Sequence, residues 1–249
     1  MSIKPLALVV SLYMLFSPYL IYAEKITYKV YLSIGFLNVQ VGESTLSESK
    51  VELEDVSAVM SRMIMTTDKR ADRVFFLRDT ITSYSTLSGM PLLYTKSINE
   101  GGKCNVEIAE FDNSYNTYSV VLKSYSKGIL IGSSTAFSDD KIYDMLSMLR
   151  YTRNMSSKGV SPGHSLQIPM VNGLQVVEQH IVYEGMESVK AANGKKYDCL
   201  ALSVRDYKYG EERETLRVLV TSDSLHIPVQ LDLKLGMGKI RVLLTSYNK

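Results

Sequence analysis

Ile26-Thr-Tyr-Lys-Val-Tyr-Leu-Ser-Ile34 alternates apolar and polar side chains until Gly35. A repeat of two places Tyr28, Val30, Leu32 and Ile34 on one face of a half-buried strand. Gly35-Phe-Leu-Asn38 then reads as a hairpin turn or as a glycine bend in one long strand. The same period returns in Val39 to Ser47, Val56 to Thr66 and Val74 to Tyr84, the last carrying Phe75 and Leu77. Asp68 to Arg73 is the charged turn between the last two. Leu92 to Ile98 and Cys104 to Phe111 flank Asn99-Glu-Gly-Gly102, a hairpin signal. Asp112-Asn-Ser114 leads to Tyr118 to Leu122, and Lys127-Gly128 leads to Ile129 to Gly132.

One segment departs from this period. Between Ser138 and Arg153, apolar residues stand at Ile142, Met145, Leu146 and Leu149, the spacing of one helix face, with Met148 beside them. Ser138 or Asp139 can cap this helix, and Arg150 and Arg153 suit its C-terminal dipole. Gly159 and Pro162-Gly163 end it. Strands then resume. Asn172-Gly173 joins Ser165 to Met170 with Leu174 to Tyr183, and Ala192-Asn-Gly194 joins Met186 to Lys190 with Tyr197 to Val204. Thr215 to Thr221, Val229 to Leu235 and Lys239 to Tyr247 complete the set, the last two turned by Gly236-Met-Gly238. Short connections require antiparallel neighbours. The fold class is therefore all-β, mainly antiparallel, with one amphipathic helix covering a sheet face or plugging an open barrel.

The first 23 residues read as an address. Lys4 precedes 19 uncharged residues, Pro5 to Ala23, with an apolar core from Leu6 to Phe16. That is a signal-peptide layout, and Pro18 together with Ala23-Glu24 favours cleavage over a retained anchor. A single β-rich domain, residues 24–249, remains, with no later segment apolar enough to span a bilayer. The whole chain has 249 residues and a formal charge of +2, falling to +1 without the leader. That balance argues against nucleic acid as a partner.

The order of several short motifs carries a resemblance. Asp144 to Arg153 is followed by Ser161-Pro-Gly163, Glu184-Gly-Met-Glu187 and Gly194-Lys-Lys-Tyr-Asp-Cys199. Val220-Thr-Ser-Asp-Ser-Leu-His-Ile-Pro-Val229 and Gly238-Lys-Ile-Arg-Val-Leu-Leu244 come next, and Tyr28 to Gly42 opens the series. The chain thereby resembles the exported Gram-negative bacterial family called domain of unknown function 3108. The resemblance implies a periplasmic or outer-membrane-associated protein without an established activity. It also implies a curved, incompletely closed sheet similar to the lipoprotein-carrier folds, an analogy of fold and not of function.

Candidate chemistry is sparse. His164, His180 and His226 lack the spacing of metal ligands, and no motif calls for a cofactor. Gly132-Ser-Ser-Thr-Ala136 misses the final glycine of a nucleophile elbow. Asp139-Asp140 reads as a helix start, and Glu184 and Glu187 as solvated flanks of a turn. In an oxidising compartment Cys104 and Cys199 either form a bridge or remain free thiols. A bridge closing so long a loop is worth up to about 4.7 kcal/mol.

A lipophilic cavity between sheet and helix is the leading site, lined by Tyr28, Val30, Leu32, Ile34, Phe75, Leu77, Met145, Met148 and Leu149. An ordinary packed core competes with it. The expected function is non-enzymatic binding or carriage of an apolar envelope component. The alternatives are a structural or interaction protein of an envelope assembly and a hydrolase of envelope glycans or lipids. The expected partners are thus a lipophilic ligand or an envelope protein.

Overall fold

The computed structural model describes residues 24–73, 76–113, 117–155, 160–208, 211–236 and 238–249. Residues 1–23, the expected leader, and Phe75 lie outside the described residues. Eight strands form a first meander: β1 (Glu24–Ile34), β2 (Leu37–Leu53), β3 (Val56–Thr67), β4 (Arg78–Thr86), β5 (Pro91–Glu100), β6 (Lys103–Asp112), β7 (Tyr118–Ser126) and β8 (Ile129–Ser138). Helix α1 (Met145–Arg153) follows. A second meander comprises β9 (Ser165–Asn172), β10 (Gln175–Lys190), β11 (Lys196–Lys208), β12 (Glu211–Thr221), β13 (Pro228–Lys234) and β14 (Lys239–Asn248).

Pairing of β1 with β14 fuses the meanders into one 14-stranded antiparallel sheet, with β8 and β9 at its ends. Thr27 and Ser246, 219 residues apart, share a hydroxyl–hydroxyl bond of 2.6 Å across this junction. The sheet curls into a nearly closed barrel. At the seam, Ser134 Oγ donates to Leu174 O at 2.6 Å. Tyr143 N donates to Pro169 O and Val171 N to Tyr143 O, both at 2.9 Å, so Tyr143, just before α1, makes a parallel bridge to the outer edge of β9 at Met170. No helix among the described residues is long and apolar enough to cross a membrane.

Several boundaries depart from the sequence reading. Gly35-Phe36 is a two-residue hairpin turn, with Ile34 paired to Leu37. The strand expected from Val74 begins at Arg78, and Leu77 makes only an isolated bridge to Glu100. β10 runs through Glu184 and Glu187, because a bulge at Gly185 absorbs the irregularity that reads as a turn. Glu184 there pairs with Arg205, and Glu187 pairs with Arg217 at 2.6 Å, so neither is simply solvated. Gly132–Ala136 lies inside strand β8, where no nucleophile elbow can form.

The helix is shorter than its pattern. Ser138 ends β8, and Asp139-Asp140 precedes α1 without capping it. The cap is Asp144, whose Oδ1 accepts from Leu146 N at 2.9 Å and Ser147 N at 3.0 Å. Ser147 Oγ accepts from Asp144 N at 2.9 Å, closing a capping box. Nine residues are too few for an isolated helix. Packing supplies the rest: Leu146, Met148 and Leu149 are buried in one continuous core with both meanders. Each such side chain contributes about 2 kcal/mol. The helix is a plug, not a lid.

Asp144 is fully buried, and its Oδ2 accepts from Ser83 Oγ of β4 at 2.8 Å. Burial raises its carboxyl above the ordinary aspartate range, against the pull of these hydrogen bonds. The fold therefore holds the Asp144 proton more tightly than the unfolded chain does. That contribution is complete below the unfolded value of 3.8 and is lost as pH rises through the folded one. Asp144→Ala removes the cap and orphans buried donors, an expected loss of about 2 kcal/mol. Asp144→Asn keeps the acceptor without the charge. Urea unfolding is expected to show its stability relative to wild type improving from pH 4 to pH 7.

Candidate functional site

The expected lining residues scatter. Tyr28, Val30, Leu77, Met148 and Leu149 are buried, Leu32 and Met145 are partly buried, and Ile34 is about half exposed at the end of β1. The buried ones belong to close-packed core, apart from Leu77, which sits at the foot of β4. Tyr28 is fully buried; burial raises its hydroxyl far above the ordinary tyrosine range, and that hydroxyl has no hydrogen-bond partner among the described residues. Cys104 is exposed in β6 and Cys199 is buried in β11, in separate meanders, so the possible bridge is not made. Burial pushes the Cys199 thiol up to about 12, leaving it unreactive. His226 offers Nδ1 to Arg153 O, a structural contact in the β12–β13 loop.

The concave surface lies instead at the barrel mouth beside the outward side of α1. A cleft of about 160 Å³ is lined by Ser85, Ser88, Gly89, Lys141, Arg150 and Tyr151 among others. The β4–β5 turn, the segment before α1 and the helix meet there. Lys141 Nζ donates to Gly89 O at 2.6 Å and stands 4.7 Å from the Tyr143 ring centre. Arg150 Nη1 donates to Ser85 Oγ at 2.9 Å. Neither cation forms an ion pair among the described residues. Burial, with Arg150 nearby, pulls the Lys141 ammonium below its ordinary range. Each keeps donors to spare, since an ammonium has three and a guanidinium five.

A second cleft, about 340 Å³, opens on the other side of Arg150. Its floor is the pair between Arg153 and Glu24, with Nη2–Oε1 2.6 Å and Nη1–Oε2 3.0 Å. Arg153 Nε also donates to His226 O at 3.1 Å. This pair ties the end of α1 to β1 and to the β12–β13 loop. Glu48, Lys50 and Lys249 give that cleft mixed charge. The first cleft is the one with cations and hydroxyls and no lining carboxylate.

Sequence reasoning missed Lys141 and Arg150. Both fall within the segment read as helix, Lys141 with no role assigned and Arg150 as a partner of the dipole. Ser85 lies 65 residues before Arg150, so no local spacing marks the cleft.

The model of the family described as protein of unknown function (DUF3108) matches residues 27–245. The chain belongs to this family. A similar solved structure is the crystal structure of a beta-barrel-like protein of domain of unknown function DUF1849 from Brucella abortus. It is 10% identical, with a TM-score of 0.62 over 91% of this chain and 97% of that one. At that identity the likeness concerns the fold: a barrel-like sheet shared by two families of unknown function. No curated protein matches the DUF3108 chain.

Proposed function

We propose that this DUF3108 protein is a non-enzymatic binding protein of the cell envelope that takes an anionic group of an envelope component at the barrel mouth. The observation that carries this reading is the pair Lys141 and Arg150, held in one hydroxyl-lined cleft without a counter-charge. A phosphate or carboxylate there would satisfy the spare donors and relieve the desolvated ammonium. The leader pattern supports the compartment. The packed core supports an exterior site over an apolar chain held inside.

Calorimetry with inorganic phosphate and with acetate tests the reading. Lys141→Ala and Arg150→Ala are each expected to weaken binding about tenfold, or roughly 1.4 kcal/mol, with little change in melting temperature. Affinity is expected to fall with rising pH earlier than an ordinary lysine predicts, because the Lys141 charge is lost sooner. Equal affinity for the double variant and the wild type would remove the cleft as the site. A lipophile extracted from protein purified from its host would restore the interior-carrier reading.

A second reading rests on β8. Its outer edge carries no ladder partner among the described residues, and Ile129 to Ser138 contains no charge. Ile129, Ile131 and Phe137 are exposed along it. Leu174 touches this edge at Gly132 and Ser134, and the backbone on either side, without a ladder, can accept a partner strand. Lys or Pro at Ile131 should abolish cross-links to such a partner while sparing anion binding.

A further inference from the structure

The β1–β2 hairpin extends beyond its neighbour. β2 has no β3 partner before Gly42, so residues 37–41 run past the ladder. At about 3.4 Å per residue the β2 side of the hairpin overhangs β3 by roughly 17 Å, whereas β1 stays paired with β14 as far as Ser33, so the turn from Ile34 to Leu37 is the part that stands clear. The chain from Val30 to Gly42 carries no charge. At the tip, Phe36 is 97% exposed, and Ile34, Leu37 and Val39 are each about half exposed. Ile34 and Leu37 are cross-strand partners and share a face. The β13–β14 turn leans on the hairpin through Gly238, where an added Cβ would lie 2.2 Å from Ser33 O, and it brings exposed Leu235 alongside.

Cations stand at the base of this hairpin, set back from the apolar turn. Asp68 N donates to Val41 O at 2.9 Å, which fastens the β3–β4 loop against the hairpin. Lys69, Arg70 and Arg73 of that loop are exposed and make no ion pair among the described residues. The acidic residues of the loop are occupied: Asp68 accepts from Arg70 N and Ala71 N, and Asp72 pairs with Arg78 at 2.6 Å.

We infer that the β1–β2 tip inserts into the surface of an anionic lipid bilayer. Phe36, Ile34 and Leu37 enter the acyl boundary, and Lys69, Arg70 and Arg73 meet the lipid phosphates. The shape selects this occupant. A stable protein interface buries about 800 Å² on each partner, more than a two-residue turn and its flanks present. A bilayer closes around a narrow convex tip without a complementary groove. The inference is independent of the anion cleft, which lies at the opposite end of the barrel.

Co-sedimentation tests it, using protein purified as its host processes it. The probes are vesicles of phosphatidylglycerol and phosphatidylethanolamine, with pure phosphatidylcholine as the uncharged comparison. The wild type is expected to pellet with the anionic vesicles and at least tenfold less with the neutral ones. Phe36→Asp with Leu37→Asp should weaken vesicle binding at least tenfold at an unchanged melting temperature, since both side chains are exposed. Lys69→Glu with Arg70→Glu should remove the preference for anionic vesicles. Failure of the wild type to pellet, or equal binding by the tip variant, overturns the inference. So does a dimer in light scattering that the tip variant dissolves without any vesicle binding, which would assign the tip to a second copy of the chain.

Discussion

Gly42→Ala is expected to destabilise the fold severely. The added methyl would sit 2.0 Å from Thr66 O, and 2.8 Å from both Thr66 C and Thr67 Cα. All three are backbone atoms of β3, so no rotamer change relieves the clash. Gly42 lies at the bulge where β1 shifts register on β2, and there β2 and β3 begin to pair. Moving either strand would disturb the ladder that supports the projecting hairpin. Overpacking of this kind costs about 3 kcal/mol or more, a large share of an ordinary stability of about 5–15 kcal/mol. Urea unfolding followed by circular dichroism reads the loss. Gly236→Ala is the control: its methyl meets nothing within 4 Å, and its midpoint should hardly move. A Gly42→Ala protein with the wild-type midpoint would show that the β2–β3 approach is looser than described.

Arg153→Ala is the second large effect. The guanidinium and the Glu24 carboxylate have side chains only 11% and 14% exposed. Removing Arg153 strands a mostly buried charge and leaves His226 O without its donor. Breaking one side of a buried pair costs about 3–5 kcal/mol. For a domain of this size the melting temperature should fall by roughly 10 °C. Lysine cannot restore the bidentate fork, so Arg153→Lys is expected to recover little. The double variant Glu24→Leu with Arg153→Met should lose less than either single variant, because no lone charge remains buried. A double variant worse than both singles would mean that the pair stabilises the fold beyond cancelling its own desolvation.

The two ends of the barrel thus carry different chemistry. Around α1, charges and hydroxyls converge on the mouth. At the β1–β2 tip, apolar side chains face outward, with cations at the base of the hairpin. A protein seated on a bilayer by that tip would hold its anion cleft away from the lipid surface.

Legibility followed the range of the interactions. The alternation of Ile26 to Ile34 and the Gly101-Gly102 turn act between neighbours in sequence, and both appear as read, in β1 and at the β5–β6 turn. Asn172-Gly173 placed its hairpin within one residue, the turn being Gly173-Leu174. The start of α1 was misread because its competitor is distant: Tyr143 spends its backbone groups on Pro169 and Val171. Asp144 therefore caps the helix instead of Ser138.

By its own pattern, the amino-acid sequence determined an antiparallel all-β chain with one amphipathic helix and named its family, because side-chain period and turn chemistry are local. Only the tertiary structure decided that β1 closes on β14, that the helix fills the barrel, that the cysteines stand apart, and that Lys141 meets Arg150. Those outcomes depend on contacts between residues far apart in the chain, which no local period encodes.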